Sequence, residues 1–245
     1  MPLEAPLPDA RRRADALNAR YRHHAATEIV HAALTDPEVG PTALVSSFGA
    51  ESVVLLHMVS LVDRTAPVLF LETGMLFAET LDYQAEVADR LGLTGVRVVR
   101  PERTELFAED PDGVLHRAAP DACCDLRKTR PLDRALAPFG AWITGRKRYQ
   151  GGARTALPLF EADGDGRIKV NPLATWAAED TAEYMLQNRL PRHPLVAKGF
   201  PSIGCKPCTT AVRPGEDPRA GRWRGTEKVE CGIHFENGRV VRRAS

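Results

Sequence analysis

The residues best suited to chemistry are five cysteines, and their spacing divides them. Four form two tight pairs, Cys123-Cys124 and Cys205-Lys206-Pro207-Cys208. The fifth stands alone in Glu230-Cys231-Gly232-Ile233-His234. Four thiolates in two close pairs suit tetrahedral zinc or an iron–sulfur cluster. Zinc sites favour about two to four residues between paired ligands, which adjacent cysteines fit poorly. Two cysteines on one helical turn can instead reach two irons of a cubane. Taken alone, Cys123-Cys124 also reads as two small buried residues, and it is the second pair downstream that favours a shared metal. Cys231 then stands outside any paired scheme. Lys228 precedes it, His234 follows it, and nearby positive charge raises the thiolate fraction of a thiol. The plainer reading is an incidental surface cysteine beside an exposed histidine.

The rest of the chain must position these groups. At 245 residues it can bury a full core without disulfide staples. A formal net charge of +1 favours neither nucleic acid nor membrane as partner. No apolar run approaches the roughly 20 residues needed to span a bilayer. Residues 1–13 carry prolines and Arg11-Arg12-Arg13 but no apolar stretch after them, unlike a secretory signal. A cytoplasmic location is expected, where cysteines are more often ligands or catalysts than bridges. Residues 201–245 hold nine Lys and Arg against five Asp and Glu, which suits an anionic ligand.

Apolar residues at helical spacing (Ala16, Leu17, Tyr21, Ala25, Ile29, Val30, Ala33) predict one amphipathic helix over 11–34. Apolar runs at 42–48, 66–71, 96–99 and 141–144 then alternate with helical stretches at 51–62, 77–91 and 121–137. Pro131 is a candidate break in the last of these. Residues 101–120 read as irregular. A hairpin is expected from 157–160 and 167–170 across Asp163-Gly164-Asp165-Gly166, and a helix over 179–188. Strands that are apolar throughout and alternate with helices predict an α/β fold with a mostly parallel sheet covered on both faces. The expected organisation is a helical segment (1–40), an α/β domain (41–200) and a Gly- and Pro-rich tail (201–245).

Ligands in such folds bind outside the carboxyl ends of the strands. Two loops fall there. In Ser46-Ser47-Phe48-Gly49-Ala50-Glu51-Ser52 the glycine allows a tight turn, and the helix that follows offers backbone N–H groups to an anion. It lacks the Gly-Lys-Ser/Thr element of a Walker loop, and an ordinary capped turn explains it equally well. Gly145-Arg146-Lys147-Arg148, with Arg154 beyond it, offers guanidinium forks that match phosphate or sulfate. Taken alone, it reads as a solvated charged loop.

These loops, with Leu71-Glu72-Thr73-Gly74, Trp142-Ile143-Thr144-Gly145-Arg146, Arg219-Ala220-Gly221-Arg222-Trp223 and the Cys231 motif, carry a resemblance. Over roughly residues 40–234 the chain resembles the assimilatory adenylyl-sulfate (APS) and phosphoadenylyl-sulfate (PAPS) reductases. The resemblance implies a Rossmann-like, adenine nucleotide alpha hydrolase-like fold. The two cysteine pairs resemble the branch that carries one [4Fe–4S] cluster on Cys123, Cys124, Cys205 and Cys208 and generally uses APS. The implied reaction is attack by Cys231 on the sulfate sulfur, loss of AMP, and release of sulfite by thioredoxin. Lys128, Arg219 and Arg222 would face the anionic substrate, with Lys128 one helical turn after Cys124. His234 would tune or orient the nucleophile. Substrate contacts are expected from Ser46, Ser47, Phe48, Gly49, Glu51, Ser52, Glu72, Thr73, Gly74, Gly145, Arg146 and Arg154. Glu72 replaces the aspartate of the usual Leu-Asp-Thr-Gly. Lys147-Arg148-Tyr149-Gln150 stands where the family more often has Arg-Asp-Gln-Ser. The alternatives are the same reaction on PAPS, an ATP pyrophosphatase of the same fold, and a non-enzymatic metal-binding regulator. No nucleic-acid or membrane partner is expected, and a homo-oligomer is compatible with the sequence.

Overall fold

Six short, mostly apolar runs supply the strands of one sheet. They are β1 (Thr42–Ser46), β2 (Val68–Leu71), β3 (Val96–Val99), β4 (Ala141–Ile143), β5 (Phe160–Ala162) and β6 (Ile168–Val170). The computed structural model describes residues 9–151, 154–225 and 228. The strand order is β3-β2-β1-β4-β6-β5, with every pairing parallel except β5 against β6. The mostly parallel sheet and the terminal hairpin are as expected, though β5 begins at Phe160 rather than Leu157.

Alternate residues along the central strands serve different layers, as pleating requires. Leu44, Phe70 and Ile143 join the larger core, and Ala43, Leu69 and Trp142 the smaller one. Helices α1 (Ala10–Tyr21), α2 (Ala26–Thr35), α3 (Ser52–Val62) and α4 (Ala78–Leu91) contribute to the larger core. The opposite face is covered by Leu132 and Leu136 of α8 (Arg130–Leu136). Burying one such Leu stabilises the fold by roughly 1.5–3 kcal/mol. Among the described residues no helix is long and apolar enough to cross a membrane.

The single helix expected over 11–34 is two. His24 N–H closes a turn on the Tyr21 carbonyl, and Ala25 is extended, with its N–H bonded to the Glu28 carboxylate at 2.8 Å. That bond starts α2 afresh in the manner of a capping box. The break lets α1 lie on β5, where the Asn18 amide accepts from Phe160 N–H (3.0 Å) and donates to its carbonyl (2.7 Å). The side chain thus pairs with one sheet edge as a neighbouring strand would, blunting that edge.

The irregular stretch before the cysteine pair contains α5 (Arg103–Glu109) and α6 (Leu115–Ala118). The cysteines follow on α7 (Pro120–Cys124), which runs through a π-helical turn (Asp125–Thr129) into α8. Pro131 does not break this run. It falls in the first turn of α8, where its missing N–H costs little. Helix α9 (Ala178–Gln187) completes the regular structure, one residue from its expected start.

Beyond α9 the chain is held by a buried histidine. His193 is 1% exposed and stacks near Tyr83, with ring centroids 4.7 Å apart. Leu195 N–H donates to its Nδ1 (3.2 Å), so Nε2 carries the proton toward Thr80 Oγ1 (3.1 Å). Burial pushes its pKa down from 6.5 to about 4. Between those values the unfolded chain binds the extra proton, so this contribution to stability is complete above pH 6.5 and is lost as pH falls toward 4. His57, lowered by burial as well, acts in the same direction. His193→Asn is expected to flatten the dependence of unfolding free energy on pH across this window by up to about 3 kcal/mol. Urea titrations at several pH values measure that slope, and a slope equal to wild type would place the acid sensitivity elsewhere.

Candidate active site

From β1 the chain winds outward through β2 and β3, then returns to place β4 on the other side of β1. The order therefore switches between β1 and β4, the point where ligands bind in open α/β sheets. The pairing of Leu44 with Ile143 puts Ser46 and Gly145 at one level, each two residues further along. A cavity of about 530 Å³ opens there, a volume typical of small-molecule sites.

The cavity gathers most residues singled out from the sequence. Ser46, Ser47, Gly49, Glu51, Ser52, Thr73, Lys128, Gly145, Arg146, Arg154, Arg219 and Arg222 all line it. Phe48, Glu72 and Gly74 do not. Phe48 adopts a positive φ of 47°, which turns its ring into the core against Phe70, 5.1 Å between centroids. A non-glycine residue held there costs of order 1 kcal/mol and marks a site whose surroundings fix it. Glu72 braces its own loop, accepting from Gly74 N–H (2.6 Å) and from Arg100 Nε (3.1 Å). Its longer carboxylate is therefore used for loop geometry. Cys231 and His234 lie outside the described residues.

Within the first loop, Phe48 N–H donates to Ser46 Oγ (3.1 Å) and Gly49 N–H to Ser52 Oγ (3.0 Å). The two serines thus shape the turn as caps. A Cβ on Gly49 would stand 3.4 Å from the Ile203 carbonyl oxygen, so glycine lets that segment close over the loop.

The walls are largely apolar, and cations outnumber carboxylates among their charged residues. Lys128, Arg146, Lys147, Arg154, Arg219 and Arg222 face Glu51 and Asp217 around the cavity. Lys147, which the sequence reading placed only in a basic loop, is 2% exposed and donates to Glu51 (2.7 Å). Tyr149 O–H reaches the same carboxylate at 3.2 Å, and burial followed by the Glu51 charge raises its pKa. Arg146 bonds to Glu161 and to Asn171 Oδ1 (3.1 Å), while Arg154 bonds to Gln150. Arg222 stacks on Trp223, 4.4 Å from its ring centroid. These contacts hold the cations in place before any anion arrives, the preorganisation on which electrostatic binding relies.

Beside the cavity lie the two cysteine pairs. Cys123, Cys124 and Cys205 are buried, and Cys208 is partly buried. Thr73 Oγ1 sits 3.3 Å from Cys205 Sγ. The Cys123 thiol is pushed up to about 11, first by burial and opposed by Arg127, with Cys205 and Cys208 raising it further. The two pairs therefore feel each other electrostatically. Among the described residues no three His, Cys, Asp or Glu side chains are gathered to hold a single metal ion. A four-iron cluster takes one thiolate at each of its irons, so it asks the four sulfurs to surround one cubane rather than to meet at one ion.

Sequence reasoning missed Arg127. Its guanidinium is buried and donates to the Thr73 carbonyl (3.0 Å) and to Asp110 (2.7 Å). Burial pushes the Asp110 carboxyl up, but Arg127 and the Leu115 and Val114 N–H groups outweigh it and hold it low. The available signal was that Arg127 follows Cys123 by four residues, as Lys128 follows Cys124.

Residues 41–211 match the family described as the phosphoadenosine phosphosulfate reductase domain. An adenosine 5'-phosphosulfate reductase of Mesorhizobium japonicum is 52% identical, over 91% of this chain and 87% of its own length. One from a Chelativorans species is also 52% identical, over 93% of each chain. A crystal structure of phosphoadenylyl-sulfate reductase from Candida auris superposes with a TM-score of 0.67 at 27% identity, covering 81% of this chain and 96% of that one.

The position of Arg222 can be tested without removing it. A Cβ on Gly204 would stand 2.3 Å from Arg222 Nη2, so Gly204→Ala must push the guanidinium aside. Because the obstructing atoms end a flexible side chain, melting temperature should hardly change. Affinity for AMP, measured calorimetrically, should fall about tenfold, the loss expected for one displaced charged hydrogen bond. Unchanged affinity would remove Arg222 from the ligand contacts.

Proposed function

Because the chain belongs to the phosphoadenosine phosphosulfate reductase family, we propose that it reduces adenylyl sulfate to sulfite and AMP. The observation that carries this reading is the 52% identity to adenosine 5'-phosphosulfate reductases across nine-tenths of the chain. The excess of cations over carboxylates in the cavity at the switch point supports it, since both the sulfate and the AMP that leaves are anionic.

In this proposal Ser46, Ser47, Gly49 and Ser52 set the turn at the start of α3 that receives phosphate. Lys128, Arg219 and Arg222 face the sulfate and the departing phosphate. The Cys231 thiolate attacks the sulfate sulfur and forms an S–S bond. The bond from sulfur to the bridging oxygen breaks, and its electron pair leaves with AMP. His234 orients the nucleophile. A dithiol reductant of the thioredoxin kind then attacks Cys231 Sγ. Sulfite leaves with the electron pair of the S–S bond, and the second thiol of the reductant closes its own disulfide and frees Cys231. The dithiol thus supplies both electrons. We place the reaction in the cytoplasm, where such dithiols are kept reduced.

Cys123, Cys124, Cys205 and Cys208 would hold one [4Fe–4S] cluster per chain. When bound, it would cross-link the cysteine-pair helix to the Cys205–Cys208 turn and rigidify the wall of the cavity. The residues around it act in their own right: Arg127 ties the cysteine helix to the Thr73 loop, and Lys128 presents its ammonium to the cavity. The same reaction on PAPS is the second reading, favoured by the superposition on the Candida auris enzyme. Comparing turnover on the two substrates separates them.

Two experiments test the proposal. Wild type incubated with ³⁵S-labelled adenylyl sulfate and no reductant should retain label through gel filtration, and Cys231→Ser should retain none. Equal labelling of both would remove Cys231 as the nucleophile. Separately, anaerobically purified wild type should be brown and carry about four irons per chain. Cys123→Ser should lose most of the absorbance and iron, whereas full retention would exclude Cys123 as a ligand.

A further inference from the structure

Two described parts of the chain before Cys231, Arg222-Trp223 and Lys228, each bond near a cysteine pair. Trp223 N–H donates to the Cys208 carbonyl (3.0 Å), and Arg222 bridges to Thr209. Further on, Lys228 Nζ donates to the carboxylate of Asp121, 107 positions earlier in the chain. Asp121 lies on α7, two residues before Cys123. Trp223 is therefore tied to the Cys205–Cys208 turn, and Lys228 to the Cys123–Cys124 helix. The Lys228 side chain is only 8% exposed, which sets this pair apart from an ordinary surface ion pair, although Asp121 itself is 54% exposed. Cys231 follows Lys228 by three residues, which span at most about 11 Å when fully extended.

We propose that Lys228 and Asp121 are positioning residues: their ion pair seats the Cys231 segment against the cysteine-pair helix for the sulfur-transfer step. The proposal rests on the reading of Cys231 as nucleophile given above. The physical logic is effective concentration. Fixing the chain three residues from a reacting thiol restricts the volume that thiol explores, and this favours attack on a nucleotide held next to Lys128. It also predicts a charge requirement that shape alone does not impose. Either residue can be neutralised with loss of the seat, and reversing both should restore it.

The test uses full-length protein and the variants Lys228→Met, Asp121→Asn and the exchanged pair Lys228→Asp/Asp121→Lys. One readout is independent of chemistry at Cys231: the rate of Glu-C protease cleavage after Glu227 and Glu230, followed by mass spectrometry. The second is the single-turnover rate of ³⁵S transfer from saturating adenylyl sulfate. Each single variant should be cleaved several-fold faster and should transfer sulfur about tenfold more slowly, with AMP affinity within twofold of wild type. The exchanged pair should recover at least half of both effects, as a direct coupling requires. Wild-type cleavage rates in the single variants would overturn the proposal. So would faster cleavage with unchanged transfer, or an exchanged pair no better than the singles. Should wild type take up no label, the nucleophile assignment fails, and the cleavage rates still decide whether the ion pair seats the segment.

Discussion

One buried cation joins the parts of this site. Arg127 binds the Thr73 carbonyl with one nitrogen and Asp110 with another, and both members of the ion pair are almost fully enclosed. Thr73 in turn touches Cys205, and the next residue of that turn, Lys206, donates its N–H to the Met75 carbonyl at 2.7 Å. Asp110 accepts from Leu115 N–H at 2.9 Å. A single guanidinium thus ties the segment after the cysteine pair to the loop after β2, and that loop bonds directly to the Cys205–Cys208 turn. Removing one partner of such a pair strands a charge in the interior, at a cost of about 3–5 kcal/mol. The π-helical turn that carries Arg127 also carries Lys128, and consecutive residues on a helix point to different sides. Arg127 is buried as a structural tie, while Lys128 lines the cavity.

A second constraint is electrostatic. Crowding six cations around one cavity is costly unless they are compensated, and the compensation here is local. Glu51 takes Lys147 and Tyr149, and Glu161 takes Arg146, with Lys169 near the same carboxylate at 3.8 Å. Lys169 itself lies over the Trp142 ring, 4.5 Å from its centroid, on the sheet face below the cavity. Glu161 therefore stands between two cations, Lys169 and Arg146. An incoming anion meets donors already oriented by neighbours, and little reorganisation accompanies binding.

The sequence made the sheet legible because each strand is a short apolar run bounded by turn residues, and β1 to β4 came within two residues at each end. It made the cavity legible through the loops after β1 and β4. The break between α1 and α2 was not legible, because the apolar spacing runs unbroken from Leu17 to Ile29 while a turn reverses the chain between them. Pro131 misled for a related reason: a proline forbidden inside a helix is harmless in its first turn, and a π-helical turn cannot be read from periodicity. Phe48 sits in a recognisable loop, yet its positive φ sends the side chain away from the cavity. Asp110 carried no signal, since its partner lies 17 positions away with no repeating pattern to connect them.

Where the carboxyl-terminal stem begins is decided by two close approaches. A Cβ on Gly221 would stand 2.1 Å from the Thr210 carbonyl oxygen, and one on Gly204 would meet the Arg222 guanidinium. The first obstacle is backbone, which cannot yield as a side-chain tip can. Glycine at 221 therefore lets the stem lie against the Cys205–Cys208 turn, where Thr210 N–H reaches the Gly221 carbonyl at 2.8 Å. Arg222 is then held between Trp223 and the cavity as a consequence of the same contact. The stem that orients a substrate-facing arginine is also the stem from which Cys231 extends. Ligand contact and nucleophile reach are thus measured from one fixed point, so a change that shifts the stem should alter both together.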